Sequence, residues 1–171
     1  MGYEIDQKDR LRALVGDWAG FAQGNDGIGL SERSVLGRSV WRYFSGGEIA
    51  DLMERLFRAT RQQGVPLSVA QRCDAPGMIR RYEMRIVPLS RGGLRITHVP
   101  RGVTPCGPVT PGHPVWHTKP LERCAVCCDY KLGERWQMVP LGERQLPEVD
   151  HYTVCPKCRA RAEAAMGATG R

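Results

Sequence analysis

Hydrophobic and polar residues alternate in three stretches in the middle of the chain. Alternation with a period of two is typical of strands that bury one face. The first stretch covers residues 65–69, the second covers residues 78–86, and the third begins at residue 94. The two connections contain glycine, at residues 75–77 and 90–93, where tight turns need a positive φ. The pattern predicts an antiparallel meander of three strands.

A helical spacing replaces the alternation just before these strands. Apolar residues repeat there at intervals of three and four: Ile49, Leu52, Met53, Leu56 and Phe57. This spacing puts them on one face of a helix. Ser45 and Glu48 stand three residues apart, as in a capping box, in which each side chain bonds an amide at the helix start. We therefore expect a long helix that begins at this serine and packs on the sheet.

Shorter elements precede the long helix. Residues 3–6 and 11–15 read as two strands joined by a polar turn, and residues 17–23 read as a short helix that ends at Asn25-Asp-Gly27. Two strands, short helices, a long helix and three strands together predict a five-stranded antiparallel sheet with helices on one face. The fold class is α+β.

Proline is concentrated after the predicted sheet. Six of the chain's 12 prolines fall between Pro100 and Pro120, interleaved with glycines. Proline removes a backbone donor and fixes φ, so this stretch is expected to run extended as a linker. The predicted organisation is an α+β domain over residues 1–100, a linker over residues 101–120, and a cysteine-rich module over residues 121–171 that ends in a helical tail.

Two C-x-x-C pairs occupy the cysteine-rich module. They are formed by Cys124 with Cys127 and by Cys155 with Cys158. Each pair lets two thiolates converge on one cation, and the long intervening segment brings the pairs together. The spacing predicts a zinc ribbon or knuckle with a structural Zn²⁺, because four thiolates close the shell and leave no position for water or substrate.

Alternatives to this ligand set remain open. Cys128 follows Cys127 directly, so either can supply the first knuckle's second thiolate, and His151 lies near enough to the second pair to replace a thiolate. The Cys155-Pro-Lys-Cys158 sequence is also compatible with a thiol-based redox sensor. Cys106 is expected to be a passive thiol in the linker.

Composition narrows the classes of function. The net charge of +7 favours anionic partners, including nucleic acid, but the arginines are scattered, and ordinary solvated faces account for most of them. No apolar run approaches the roughly 20 residues of a transmembrane helix, and the polar N-terminus lacks a signal-peptide core. We expect a cytoplasmic protein without a membrane partner.

Motifs of zinc deaminases, serine hydrolases and zinc peptidases are missing, so redox-active thiols are the one enzyme-like option.

Four short segments resemble a bacterial group of PAS-like domains. They are residues 18–25 (WAGFAQGN), residues 35–41 (VLGRSVW), residues 72–74 (RCD) and residues 80–81 (RR). The resemblance covers residues 1–100, and it implies a sensory domain of signal transduction whose sheet and helices can enclose a small ligand. It also implies another signalling protein as a partner, and homodimers through the PAS-like domain.

Five residues are candidates for a ligand or partner surface: Trp41, Arg72, Asp74, Arg80 and Arg81. A core position for the tryptophan and a cross-strand ion-pair network for the charged residues are the alternatives. The function predicted from the sequence is a non-enzymatic sensor or interaction protein whose structural zinc site supports a partner-binding surface. The alternatives are a nucleic-acid-binding regulator, which would use the zinc module and basic residues, and a thiol-based redox sensor.

Overall fold

The computed structural model describes residues 1–23, 29–107, 117–139 and 147–168. Within these ranges the strands are β1 (Gly2–Ile5), β2 (Leu11–Val15), β3 (Leu67–Arg72), β4 (Met78–Pro88), β5 (Leu94–Pro105), β6 (Glu122–Cys124), β7 (Tyr130–Leu132), β8 (Arg135–Gln137) and β9 (His151–Thr153). The helices are α1 (Trp18–Gln23), α2 (Glu32–Val35), α3 (Gly47–Gln63) and α4 (Pro156–Ala168). Short 3₁₀ turns lie at Val40–Tyr43 and Ser90–Gly92. The predicted helix stop at 25–27 and the centre of the predicted linker lie outside the described residues.

The first five strands form one antiparallel sheet in the order β2-β1-β5-β4-β3. The N-terminal hairpin therefore lies beside β5, the last strand of the meander. This confirms the predicted α+β class with a five-stranded antiparallel sheet. A bulge between Arg81 and Tyr82 interrupts the longest pairing, that of β4 with β5.

Strand β5 extends into the stretch predicted as linker. Its pairing with β4 continues to Met78 opposite Pro105, so residues 101–105 belong to the sheet. Strand β1 pairs with β5 only as far as Thr97, and Met1 accepts a further bond from the His98 amide. The proline-containing half of β5 thus lies on an edge, where a missing amide donor breaks no ladder.

Helix α3 covers one face of this sheet. The five apolar residues predicted to face the core are all buried: Ile49, Leu52, Met53, Leu56 and Phe57. The predicted capping box is wrong, because the helix begins at Gly47 and its N-cap is Gly46, whose φ is 104°. A Cβ atom on Gly46 would lie 3.0 Å from the Tyr152 carbonyl oxygen, so this close approach of β9 requires glycine.

The C-terminal part forms a smaller sheet in the order β8-β7-β6-β9, in which β6 and β9 run parallel. Helix α4 follows β9 and packs against α3 and β3. Cys124, Val126 and Val154 belong to the same buried cluster as Leu56 and Phe57 of α3. The two parts of the chain therefore share one hydrophobic core. No helix among the described residues is long and apolar enough to cross a membrane.

Candidate metal centre

The first cysteine pair sits on a turn that follows β6. Cys124 is the last residue of that strand, and its carbonyl oxygen accepts a 2.9 Å hydrogen bond from the Cys128 amide. Cys128 adopts a positive φ of 59°, which closes the turn. The Val126 amide points back at the Cys124 sulfur, at 3.4 Å. The turn thus brings the sulfurs of Cys124 and Cys127 to the same side.

The second pair sits at the start of α4. Pro156 is the first helical residue, where its missing N–H costs no hydrogen bond. Cys155 directly precedes it, and Cys158 lies in the first helical turn. The Cys155 amide donates to the Cys124 sulfur at 3.4 Å, which links the two pairs. The start of α4 thus places both sulfurs beside those of the first pair.

The sulfur atoms of Cys124, Cys127, Cys155 and Cys158 lie within 4.8 Å of one another. Those of Cys127 and Cys155 are 3.7 Å apart. Four sulfurs held about 2.3 Å from one zinc ion at tetrahedral angles would be separated by about 3.8 Å. All but Cys127 are buried. These distances and donor types fit a single metal ion held by four thiolates.

The charge state of the cluster also suits a cation. Hydrogen bonds from the Cys127 and Cys158 thiols lower the pKa of Cys124, and the Val126 and Cys155 amides support the same ionised sulfur. An ionised sulfur in a buried site needs a compensating cation. A bound metal ion supplies that compensation and allows the remaining thiols to ionise as well.

The two suggested substitutes lie elsewhere. The Cys128 thiol is directed to β3, where it donates to the Arg72 carbonyl oxygen at 3.2 Å, and burial raises the pKa of this thiol. His151 is exposed on β9, opposite Glu122. Among the described residues the cluster therefore contains Cys127 and neither substitute.

Several contacts fasten the cluster to the rest of the fold. The Arg72 amide donates to the Val126 carbonyl oxygen at 2.8 Å, and the Ala125 amide donates to the Thr153 carbonyl oxygen at 2.9 Å. Glu48 of α3 accepts hydrogen bonds from the Thr153 hydroxyl and, at 3.0 Å, from the Val154 amide. Sequence reasoning missed this role of Glu48, because its spacing from Ser45 pointed to a local cap.

The five candidates for a ligand or partner surface do not form one site. Arg72 and Asp74 lie together in a mostly buried network, in which the guanidinium also contacts Asp129. Trp41 packs in the core against Phe44 and Phe57 and donates to Asp9.

The other two candidates lie on β4. Arg80 bonds the Cys73 carbonyl oxygen, and Arg81 is exposed and bonds the Thr104 hydroxyl across the sheet. Neither makes an ion pair with Asp74 among the described residues. The second carboxylate that contacts Arg72 is Asp129, which directly follows the cysteine turn.

Arg123 is a further buried cation, at a position that the sequence pattern does not single out. It is 6% exposed, and its guanidinium carbon lies 5.1 Å from the centre of the Tyr130 ring. Its burial follows from the position of β6, which lies between β7 and β9. Comparison of the chain with protein-family models, curated proteins and solved structures gives no match.

Proposed function

We propose that this protein is a non-enzymatic, PAS-like sensor or interaction protein in which a structural Zn²⁺ ion fastens the C-terminal segment to the sheet and to α3. The observation that carries the proposal is the position of the four-cysteine cluster. It lies where β6, the start of α4 and the end of β3 meet, inside the core shared by both parts of the chain.

Zinc is the metal that best suits these donors. Four thiolates in a compact, mostly buried cluster favour a soft or borderline cation with tetrahedral geometry. Such a shell has no open position, so the metal contributes folding free energy and no catalysis. The role follows from the contacts around it, because losing the metal would leave ionisable sulfur in the common core.

The sensor role is supported by the order of elements and by the resemblance of residues 1–100 to PAS-like domains. The sheet covered on one face by α3 provides a place for a small ligand. The cysteine segment packs directly on the end of β3, so a change in the sheet can be passed to this segment and to a partner protein that contacts it.

A matched pair of adjacent substitutions tests the metal site. Cys127→Ser removes one ligand of the cluster, whereas Cys128→Ser replaces a thiol that donates to a carbonyl oxygen with a hydroxyl that can do the same. We expect about one zinc per chain in the natural protein and in Cys128→Ser, and a large loss of zinc and of thermal stability in Cys127→Ser.

Elemental mass spectrometry and a count of free thiols before and after chelation provide the measurement. Natural protein without metal, or zinc lost from Cys128→Ser and retained by Cys127→Ser, would contradict the proposal. Reversible disulfide formation between the pairs in metal-free protein purified under reducing conditions would favour the redox sensor instead.

One surface favours nucleic-acid binding as a second candidate function. A groove of about 470 Å³ between the outer face of β3–β4 and the start of α4 is lined by Arg81, Arg101, Lys157 and Arg161. The last two make no ion pair among the described residues. Unpaired cations along a groove attract phosphates.

A further inference from the structure

A cleft of about 580 Å³ lies between the helix-covered face of the sheet and the cysteine segment. The sheet contributes Tyr3, Met84 and His98, and the opposite wall includes Cys124 and Cys128. Its volume is in the range of pockets that hold small organic molecules. The cysteine segment is therefore part of a binding-site wall as well as a metal site.

Two aromatic side chains stand at the open side of this cleft. Tyr43, on the 3₁₀ turn before α3, is 42% exposed, and Tyr152 of β9 is 44% exposed. Phe44, Ile49 and Met53 provide an apolar wall deeper inside. Exposed aromatic rings around an apolar wall favour an aromatic or extended apolar ligand.

Arg123 supplies a buried charged donor without a hydrogen-bond acceptor in the lining. Its Nη2 atom is buried, and no atom of the described residues accepts a hydrogen bond from it. Its Nε atom donates to the Cys128 carbonyl oxygen at 3.4 Å. The nearest carboxylate oxygen, Oδ2 of Asp74, is 3.7 Å from Nη2, too far for a hydrogen bond. Leaving a charged donor unsatisfied in a buried position is costly.

The neighbouring groups do not supply a hydrogen-bond acceptor for this donor. Both oxygens of Asp74 already accept hydrogen bonds from Arg72, which also contacts Asp129. Burial, with a smaller effect of the N-terminal charge, lowers the pKa of His98 to about 4, so this imidazole is neutral near pH 7. Its Nδ1 atom is engaged with Gln71 at 2.9 Å. Among the described residues, Arg123 thus keeps a buried donor without an acceptor at this cleft.

We propose that the cleft binds a small aromatic carboxylate, whose anionic group accepts a hydrogen bond from Nη2 of Arg123 and whose ring lies among Tyr3, Tyr43 and Tyr152. The inference rests on the proposed function, because the metal-held segment 123–128 forms one wall. One free donor beside Asp74 suits a monoanion better than a phosphate dianion, since the nearby carboxylate repels additional negative charge.

Matched pairs of probes test the charge requirement. Phenylacetate and indole-3-acetate would be titrated into the zinc-loaded full chain by isothermal calorimetry, alongside their neutral amides, phenylacetamide and indole-3-acetamide. The carboxylates are expected to bind at least about tenfold more tightly than the amides, as charge-assisted hydrogen bonds do. Failure of both acids to bind at millimolar concentration, or equal binding of acids and amides, would overturn the proposal.

Two variants locate the binding. Arg123→Gln is expected to weaken carboxylate binding about ten- to hundredfold, whereas Arg58→Gln, an exposed arginine on α3, removes the same charge without effect. Should Arg123→Gln not fold, Ser45→Trp fills the cleft from an exposed lining position and is expected to abolish binding. Unchanged binding in Ser45→Trp, or in a folded Arg123→Gln, would overturn the assignment.

Zinc content measured on the same samples separates this inference from the proposed function. One zinc per chain without carboxylate binding would leave the metal site standing and refute the cleft. A chain that takes up no zinc but binds the carboxylates would support the cleft and refute the structural zinc.

Discussion

Replacing Glu48 with glutamine should loosen the attachment of the cysteine segment to α3. The carboxylate accepts hydrogen bonds from the Thr153 hydroxyl, from the Val154 amide at 3.0 Å and from Arg159 at 3.2 Å. Val154 directly precedes the cluster residue Cys155. The Glu48→Gln substitution preserves size and one acceptor oxygen but removes the charge that strengthens all three bonds.

The expected loss of stability is about 1–2 kcal/mol. A hydrogen bond to a buried charged group contributes about 1.5–3 kcal/mol, but the Glu48 side chain is 51% exposed, so solvent screens these bonds. The contact with Arg159 is an exposed ion pair and contributes less than about 1 kcal/mol. The remaining loss comes from the weakened bonds to Thr153 and Val154. For a chain of this size, about 1–2 kcal/mol corresponds to a decrease in melting temperature of roughly 2–8 °C.

Urea denaturation of zinc-loaded protein and competition with a chromophoric chelator provide the assay. Zinc affinity should fall about tenfold, because a hydrogen-bonding partner next to a metal ligand positions that ligand. Glu54→Gln is the matched control, since Glu54 lies on the same helix and, among the described residues, pairs with Arg58 alone. That control should lose no more than about 0.5 kcal/mol and keep its zinc affinity.

The dependence on pH follows from the lowered pKa of Glu48, which is caused first by the Thr153 hydrogen bond and then by the Val154 amide. A carboxyl group with a lowered pKa stabilises the fold fully above its unfolded value of about 4.3, and the effect is lost as the pH falls through the folded value. The difference between natural protein and Glu48→Gln should therefore be constant from about pH 6 to 8. Equal stability and zinc affinity of Glu48→Gln and Glu54→Gln would refute this reasoning.

Two further predictions concern the junction and the groove. Gly46→Ala should lower the free energy of unfolding in urea by about 2 kcal/mol, because φ at this residue is 104° and the Tyr152 carbonyl oxygen lies against the new Cβ. Gly47→Ala, whose Cβ would meet open space, should be neutral or stabilising. Equal effects of the two substitutions would contradict the backbone argument. If the groove binds nucleic acid, the affinity for a single-stranded oligonucleotide should fall steeply as the salt concentration rises. Replacing both Lys157 and Arg161 with glutamine should reduce the slope of log affinity against log salt concentration by about two. Binding that is absent or independent of salt would exclude this function.

Local patterns predicted the elements of the large sheet because each pattern reflects packing within one element. The spacing of Leu52, Leu56 and their neighbours indicates which face of α3 packs on the core, and that face is buried in the structure. The sequence pattern did not predict the end of β5. Proline interrupts a strand that hydrogen-bonds to neighbours on both sides, but this half of β5 pairs only with β4 among the described strands.

The cysteine spacing identified the candidate metal centre, but the choice between Cys127 and Cys128 could not be read from it. That choice depends on the positive φ of Cys128, which turns its thiol toward Arg72. Glu48 and Arg123 were missed for a related reason. The hydrogen-bond partners of Glu48 lie about 100 residues away, and Arg123 is buried because β6 lies between β7 and β9; no local periodicity records such packing.

The candidate metal centre and the cleft share residues, so a metal ion bound at one and a ligand bound at the other would be coupled through the turn between them. Cys124 supplies a sulfur to the cluster and also lines the cleft, and Cys128 closes the turn between them. If a cleft ligand binds the metal-held arrangement of this turn more tightly than the metal-free one, zinc must bind more tightly by the same factor when that ligand is present. Because thiolates bind zinc very tightly, the metal would hold the turn in the binding arrangement at all times. Under the proposed function, a cleft ligand would then act on a smaller equilibrium, the packing of the cysteine segment on β3 and α3.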